Sequence, residues 1–156
     1  MSGKIGICDT TFASVDLARF VLDAINDSSQ NVGVERYTVP GIKDLPVAAM
    51  KLFDEFGCDI VLALGMPGRE VIDKQCAHEA SMGLIYLQLL EKKHVIEVFV
   101  HADESESEKQ LFEIARSRSY KHGLNALQLL KGKDSLGIFA GKGLRQGFDD
   151  EGPLRE

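Results

Sequence analysis

The chain has 156 residues, enough for one domain that buries a core of its own, and 44% of them are hydrophobic. Its net charge of -6 supplies no basic footprint for nucleic acid. No apolar run approaches the ~20 residues of a membrane span, and Met1-Ser2-Gly3-Lys4 leads into a strand without a signal-peptide pattern, so a cytoplasmic protein is expected.

Residues 4–8 read as a short strand that exits through Asp9-Thr10-Thr11-Phe12. Val15, Leu17, Ala18, Val21, Leu22 and Ile25 then recur at helical spacing, with Ser14 or Thr11 as the expected cap. After a turn cluster over residues 26–31, residues 32–39 read as the second strand. A helix capped or opened by Asp44 follows, with Pro46 in its first turn, where a missing N–H costs nothing, and Gly57 as its stop. Residues 58–64 are almost continuously apolar, as in a central parallel strand covered on both faces.

A long helix is expected over residues 70–90, a fourth strand over 95–100, and an acid-rich helix start over 103–108 that suits the positive end of a helix dipole. That helix can run to Leu130. The remainder, 132–156, has no periodicity but carries Gly137, Gly141, Gly143, Gly147 and Gly152. Phe139, Leu144 and Phe148 among these glycines suggest an arm that packs on something, a neighbouring subunit being one candidate; a frayed end is the alternative. Cys8, Cys58 and Cys76 fall inside apolar patterns and read as reduced core thiols.

Strand and helix alternate throughout, which predicts an α/β fold: a single-domain, doubly wound, right-handed parallel sheet of four strands flanked by helices, flavodoxin-like in architecture. The apolar stripes of its helices are wide for so small a sheet, and self-association would cover them.

Familiar catalytic motifs fail one by one. Residues 9–14 contain no glycine for a dinucleotide turn. Gly141-Lys142-Gly143 follows no strand and makes no phosphate loop, while His78-Glu79 meets Met82 where a zinc protease needs histidine. Cys76 and His78, two apart on a helix, face different ways, so no metal site is expected. No nucleophile elbow is present, and strand three ends in Leu64-Gly65 rather than in the phospho-acceptor acid of a signalling receiver.

What remains is positional. Thr10, Thr11 and Phe12, then Pro40 to Asp44, then Gly65 to Arg69, then His101 and Asp103 all end strands at the carboxyl edge, where α/β sheets bind ligands. Phe12 suits stacking on a flat heterocycle, or a hydrophobic plug. Asp44 suits a polyol, helix capping, or both. Lys43 can neutralise developing negative charge, and His101 can move protons near neutral pH.

At these junctions the chain resembles a known family. Val39-Pro40-Gly41-Ile42-Lys43-Asp44-Leu45-Pro46 is similar to the Val-Pro-Gly-x-x-Glu-Leu/Ile-Pro segment of lumazine synthase. Ala63-Leu64-Gly65 with His78-Glu79-Ala80-Ser81-Met82-Gly83 resembles that family's Ala-Leu-Gly and Asn-Glu-Ala-Ala-x-Gly. The whole chain, including Gly65-Met66-Pro67-Gly68 and the tail from Ala140 to Phe148, resembles the archaeal riboflavin synthase family, a paralogue of lumazine synthase.

The resemblance implies a lumazine synthase-like fold and a pocket for 6,7-dimethyl-8-ribityllumazine. It implies that Asp44 binds ribityl hydroxyls, that Thr10, Thr11 and Phe12 flank the ring, and that Pro40, Gly41, Ile42, Lys43, Gly65, Met66 and Pro67 line it. His101 and Lys43 become the expected catalytic groups, with Glu97 reaching substrate across an interface of a homopentamer. Lumazine synthase carries Gly-Ala-Thr-Thr-His after strand three to hold a donor phosphate. Here that loop is shorter and has neither threonine nor histidine. The implied reaction is therefore transfer of four carbons between two lumazines, the last step of riboflavin formation; lumazine synthase and a non-catalytic flavin carrier are the alternatives. No cofactor is expected, and a Mg2+ requirement stays open.

Overall fold

The computed structural model describes residues 3–156. The elements run β1 (Lys4–Thr10), α1 (Leu17–Asp27), β2 (Gly33–Val39), α2 (Leu45–Asp54), β3 (Ile60–Gly65), α3 (Val71–Glu91), β4 (Val95–Phe99) and α4 (Glu108–Leu130), with short 3-10 turns at Ile42–Asp44 and Gly137–Phe139. All strand pairs are parallel, in the order β2-β1-β3-β4. The central β3 is buried at every residue, whereas the edge strand β2 exposes Gly33, Arg36 and Thr38. Continuous apolar sequence and two-sided burial go together, as parallel sheets require.

Each sheet face has its own core. Ile5, Ile7, Leu62, Leu64 and Val98 point toward α1 and α4, which supply Leu17, Val21, Ile114 and Leu127. Cys8, Val61, Ala63, Val95 and Phe99 point the other way, toward Leu45, Leu52, Ala80 and Leu84 of α2 and α3. The helices of the first layer touch closely because α4 offers Gly123 to α1: a Cβ there would lie 2.9 Å from the Ala24 Cβ.

Two helix starts differ from expectation, those of α1 and α4, and in both a neighbouring basic side chain claims the carboxylates. The first helix begins at Leu17 after Asp16, not with Ser14 or Thr11 as cap. Asp16 makes no cap bond because Arg36 binds it at 2.9 Å. Helix α2 does open at Asp44, yet the Asp44 side chain caps nothing. The 3-10 turn already holds it at φ -90, ψ -12, away from the extended backbone that capping uses. Of the acidic run before α4, only Glu108 enters the helix, and Ser107 is the cap, accepting from the Gln110 N–H at 3.2 Å. Asp103 and Glu104 are held outside it by Lys74 and Arg118.

Residues 132–156 dock on the chain's own α4. The Gln146 carbonyl accepts from Arg118 Nε at 3.2 Å and the Arg145 carbonyl from Lys121 Nζ at 3.3 Å. Ile138, Leu144 and Leu154 stay outward. So do Ile72, Met82, Ile85, Tyr86, Leu89 and Leu90 of α3.

Candidate active site

The exits of β1, β2 and β3 meet around a mainly apolar cavity of about 240 Å³ lined by Phe12, Gly41, Ile42, Lys43, Asp44, Pro67, Gly68, Asp73 and Cys76. The backbone fixes its mouth. The Pro40 carbonyl accepts from the Phe12 N–H at 3.2 Å, and the Ala102 N–H donates to the Pro67 carbonyl at 2.9 Å, so adjacent exit loops brace one another. Behind the cavity, Ile42 and Phe99 lie so close over Gly65 that its missing Cβ would meet Ile42 Cγ2 at 2.7 Å. Phe12 is 61% exposed at the rim, an aromatic face open to solvent.

Six of the expected residues therefore share this cavity: Phe12, Gly41, Ile42, Lys43, Asp44 and Pro67. Others lie elsewhere. Thr10 and Thr11 line a separate polar crevice of about 290 Å³ on the α1 side, with Asp9, Asp16, Arg36 and Thr38. There Arg36 Nη2 donates to Asp9 at 2.5 Å and to Asp16, and Thr38 donates to Asp9 at 2.6 Å. Pro40 braces rather than lines, and Gly65 forms the floor. Met66 is 4% exposed in the core under α1 and α4. Glu97 sits on the α3 side of β4, half-buried, accepting from the Ser81 hydroxyl; burial pushes its carboxyl up, partly offset by that bond.

Lys43 is paired with Glu79 at 2.7 Å. The hydrogen bond to Glu79 pushes the Lys43 pKa up, so it acts as a fixed cation, not as a base. His101 is outside the cavity lining but one loop away. Its Nδ1 lies 3.4 Å from Lys74 Nζ, which in turn donates to Asp103 at 2.6 Å. An ammonium only donates, so Nδ1 accepts and the neutral ring carries its proton on Nε2. Burial and the Lys74 charge hold the imidazole pKa below its ordinary value, leaving it neutral and able to take a proton at neutral pH.

Two lining residues were not foreseen, Asp73 and Cys76; Gly68 was expected only within the Gly65 to Arg69 strand exit. Cys76 reads as core from its place in an apolar helical pattern, but it is only part-buried at the cavity wall, unlike the buried thiols Cys8 and Cys58. Burial drives the Cys58 pKa to about 11. Asp73 and Glu70 form a reciprocal box at the start of α3: the Glu70 carboxylate accepts from the Asp73 N–H, and the Asp73 carboxylate from the Glu70 N–H at 3.0 Å. Gly68 has no room for a Cβ because the Asp73 carboxylate lies against it. The signal was in the sequence, as acids at 70 and 73 with capping-box spacing at a helix start.

The profile of the 6,7-dimethyl-8-ribityllumazine synthase family matches residues 2–133. A Methanothermobacter thermautotrophicus protein named riboflavin synthase is 50% identical over 151 residues, 97% of this chain and 99% of that one. Its namesake in Archaeoglobus fulgidus is 47% identical over 97% of this chain and 98% of its own. One from Aeropyrum pernix is 42% identical over 156 residues, 99% of this chain and 100% of its own, an alignment that takes in the arm. The chain belongs to the 6,7-dimethyl-8-ribityllumazine synthase family.

Proposed function

We propose that this protein is a riboflavin synthase, converting two molecules of 6,7-dimethyl-8-ribityllumazine into riboflavin and 5-amino-6-ribitylaminouracil. The observation that carries this reading over lumazine synthesis is the self-capped start of α3. A helix N-terminus is the natural cradle for a phosphate. Here two carboxylates stand at that start, Glu70 accepting from the Asp73 N–H and Asp73 from the Glu70 N–H, and Asp73 brings its negative charge to the cavity wall. A phosphorylated four-carbon donor finds repulsion there, whereas an uncharged lumazine ring loses nothing. The names carried by the full-length relatives agree.

The substrate supplies much of its own reactivity. Loss of a proton from the 7-methyl group of one lumazine leaves a carbanion delocalised into the ring, and this attacks the second ring; four carbons then move across and the uracil diamine departs. Atoms balance without oxidant or cofactor. The protein's task is orientation, worth ~7–11 kcal/mol when reacting groups are well aligned. In this reading Phe12 stacks on a ring, Asp44 accepts from ribityl hydroxyls, Lys43 steadies negative charge and His101 moves the proton. Among the described residues no group of three or more His, Cys, Asp or Glu is placed to hold a metal ion, and the chemistry proposed uses none.

One chain holds only part of such a site. Its cavity of about 240 Å³ is smaller than the ~300–1,000 Å³ usual for ligands of this size, and two rings must fit. A neighbouring copy completes it, brought in over the outward apolar side chains of α3, and the resemblance implies five copies. The part-buried Glu97 then faces that partner. A cytoplasmic setting fits the free thiols, and among the described residues no helix is long and apolar enough to cross a membrane.

Incubating the purified protein with the dimethyl lumazine tests the reading directly. The expected result is riboflavin fluorescence with two lumazines consumed per riboflavin. No lumazine should form from the uracil diamine and a phosphorylated four-carbon donor. Binding without turnover would make it a carrier, and lumazine formation would overturn the anion argument.

A further inference from the structure

Outside the cavity, Arg118 of α4 joins three parts of the carboxyl edge. Its Nη1 donates to the Phe99 carbonyl at the end of β4 at 3.0 Å and to Glu104 Oε2 at 2.6 Å; its Nη2 donates to Glu104 Oε1 at 2.8 Å. The fork is bidentate, and the Arg118 side chain is 13% exposed. Glu104 Oε2 also accepts the His101 N–H at 2.8 Å, fixing the backbone that carries the imidazole. On its other side Arg118 holds the arm. Its Nε donates to the Gln146 carbonyl, and its guanidinium stands 5.5 Å from the centre of the Phe148 ring. Between these two contacts lies Gly147 at φ +92, where a Cβ would sit 2.7 Å from Arg118 Nε.

One cation therefore serves both the arm and the His101 loop. We infer that Arg118 is a positioning residue that makes docking of residues 145–148 and placement of the His101 loop a single event. When the arm leaves, water reaches the Arg118–Glu104 pair and the fork weakens. When Arg118 is lost, Glu104 becomes a part-buried carboxylate without its partner and swings out, freeing the His101 N–H. The role of His101 rests on the proposed function; the coupling does not.

Amide exchange followed by NMR on the full-length protein without substrate reads the coupling. The reporters are His101 and the arm amides of Arg145 and Glu151, which donate to Asp150 and to the Gly143 carbonyl. Arg118→Met and Gly147→Ala are each expected to speed exchange at all three at least ~10-fold, Arg118→Lys less, since an ammonium cannot fork. The double variant should change no more than either single one. In turnover, kcat should fall roughly 10- to 100-fold with KM nearly fixed, the signature of misplacement rather than lost contact. Gly147→Ala lies in the arm, so it decides even if Arg118→Met does not fold. A freed arm with the His101 amide still protected would overturn the inference, as would arm amides that exchange as in the wild type. Absence of riboflavin synthesis would refute the function and leave the exchange result standing.

Discussion

In the proposed function, Asp44 is the side chain that recognises the ribityl chain. It stands at the cavity with no capping bond, in a position where most acids would be consumed by the helix behind them. A carboxylate left free beside an apolar wall is suited to hydroxyl groups, each such charged hydrogen bond being worth about 1.5–3 kcal/mol. Asp44→Ala should therefore raise KM for the lumazine about 10- to 100-fold with the melting temperature unchanged; unaltered steady-state kinetics would remove Asp44 from the site. Gly41 offers the complementary test. Its backbone is extended at φ -143, which any residue adopts, and a Cβ there would touch nothing within 4 Å. Gly41→Val should leave stability within about 0.5 kcal/mol yet fill cavity space, weakening lumazine binding by about 1–3 kcal/mol in a calorimetric titration.

Among the elements, α4 carries the most constraints, because one face packs on α1 while the other receives the arm. Gly123 sets the first contact. An alanine gains about 1 kcal/mol of helix propensity, but its Cβ would press on the Ala24 Cβ at 2.9 Å and on the Val21 carbonyl oxygen at 3.3 Å, and backbone does not give way. Overpacking costs about 1–3 kcal/mol, so the net sign is unfavourable. Gly123→Ala should lower the melting temperature by a few degrees in a thermal scan, and an unchanged or higher value would mean the two helices slide apart freely. The strands and helices themselves were legible in the sequence because apolar runs and helical spacing report burial directly. Helix starts were less so. Whether Asp16, Asp44 or Asp103 caps a helix depends on Arg36, on a 3-10 turn and on Lys74, partners distant in sequence or set by backbone shape. The site was half-legible for the same reason. Residues adjoining Pro/Gly turns, such as Ile42 and Pro67, fell together as expected. Met66 turned inward and Cys76 outward, since side-chain direction at a strand end or on a helix flank follows packing that sequence spacing does not encode.

At the scale of the whole molecule, the arm and β4 partly bury a histidine that the proposed chemistry does not use. His122 lines an open cavity of about 530 Å³ with Ile96, Leu136, Phe139 and Leu144, and Asn125 Nδ2 is 3.3 Å from its Nδ1. Burial, helped by the Arg118 charge, pushes its pKa from 6.5 down to about 4. A folded pKa below the unfolded one means that the unfolded chain binds the proton more readily. Stability is then full above the unfolded value and falls as pH drops from about 6.5 toward 4, by on the order of 3 kcal/mol at the lower limit. His101 shifts in the same direction and adds to the loss. Glu97 opposes it, because its raised pKa relieves a buried charge as the medium acidifies. The carboxylates lowered by Lys74 and Arg118, Asp103 and Glu104, contribute only as pH falls below their ordinary values of 3.8 and 4.5. Between pH 6.5 and 4.5 the slope is therefore histidine-driven, and most of it belongs to His122. Urea unfolding of the wild type across that range should show a midpoint that declines with acidity, while His122→Gln should flatten the decline without altering stability at pH 8 by a comparable amount. Equal slopes in the two proteins would place the acid sensitivity elsewhere, and would mean that the arm admits water to the ring.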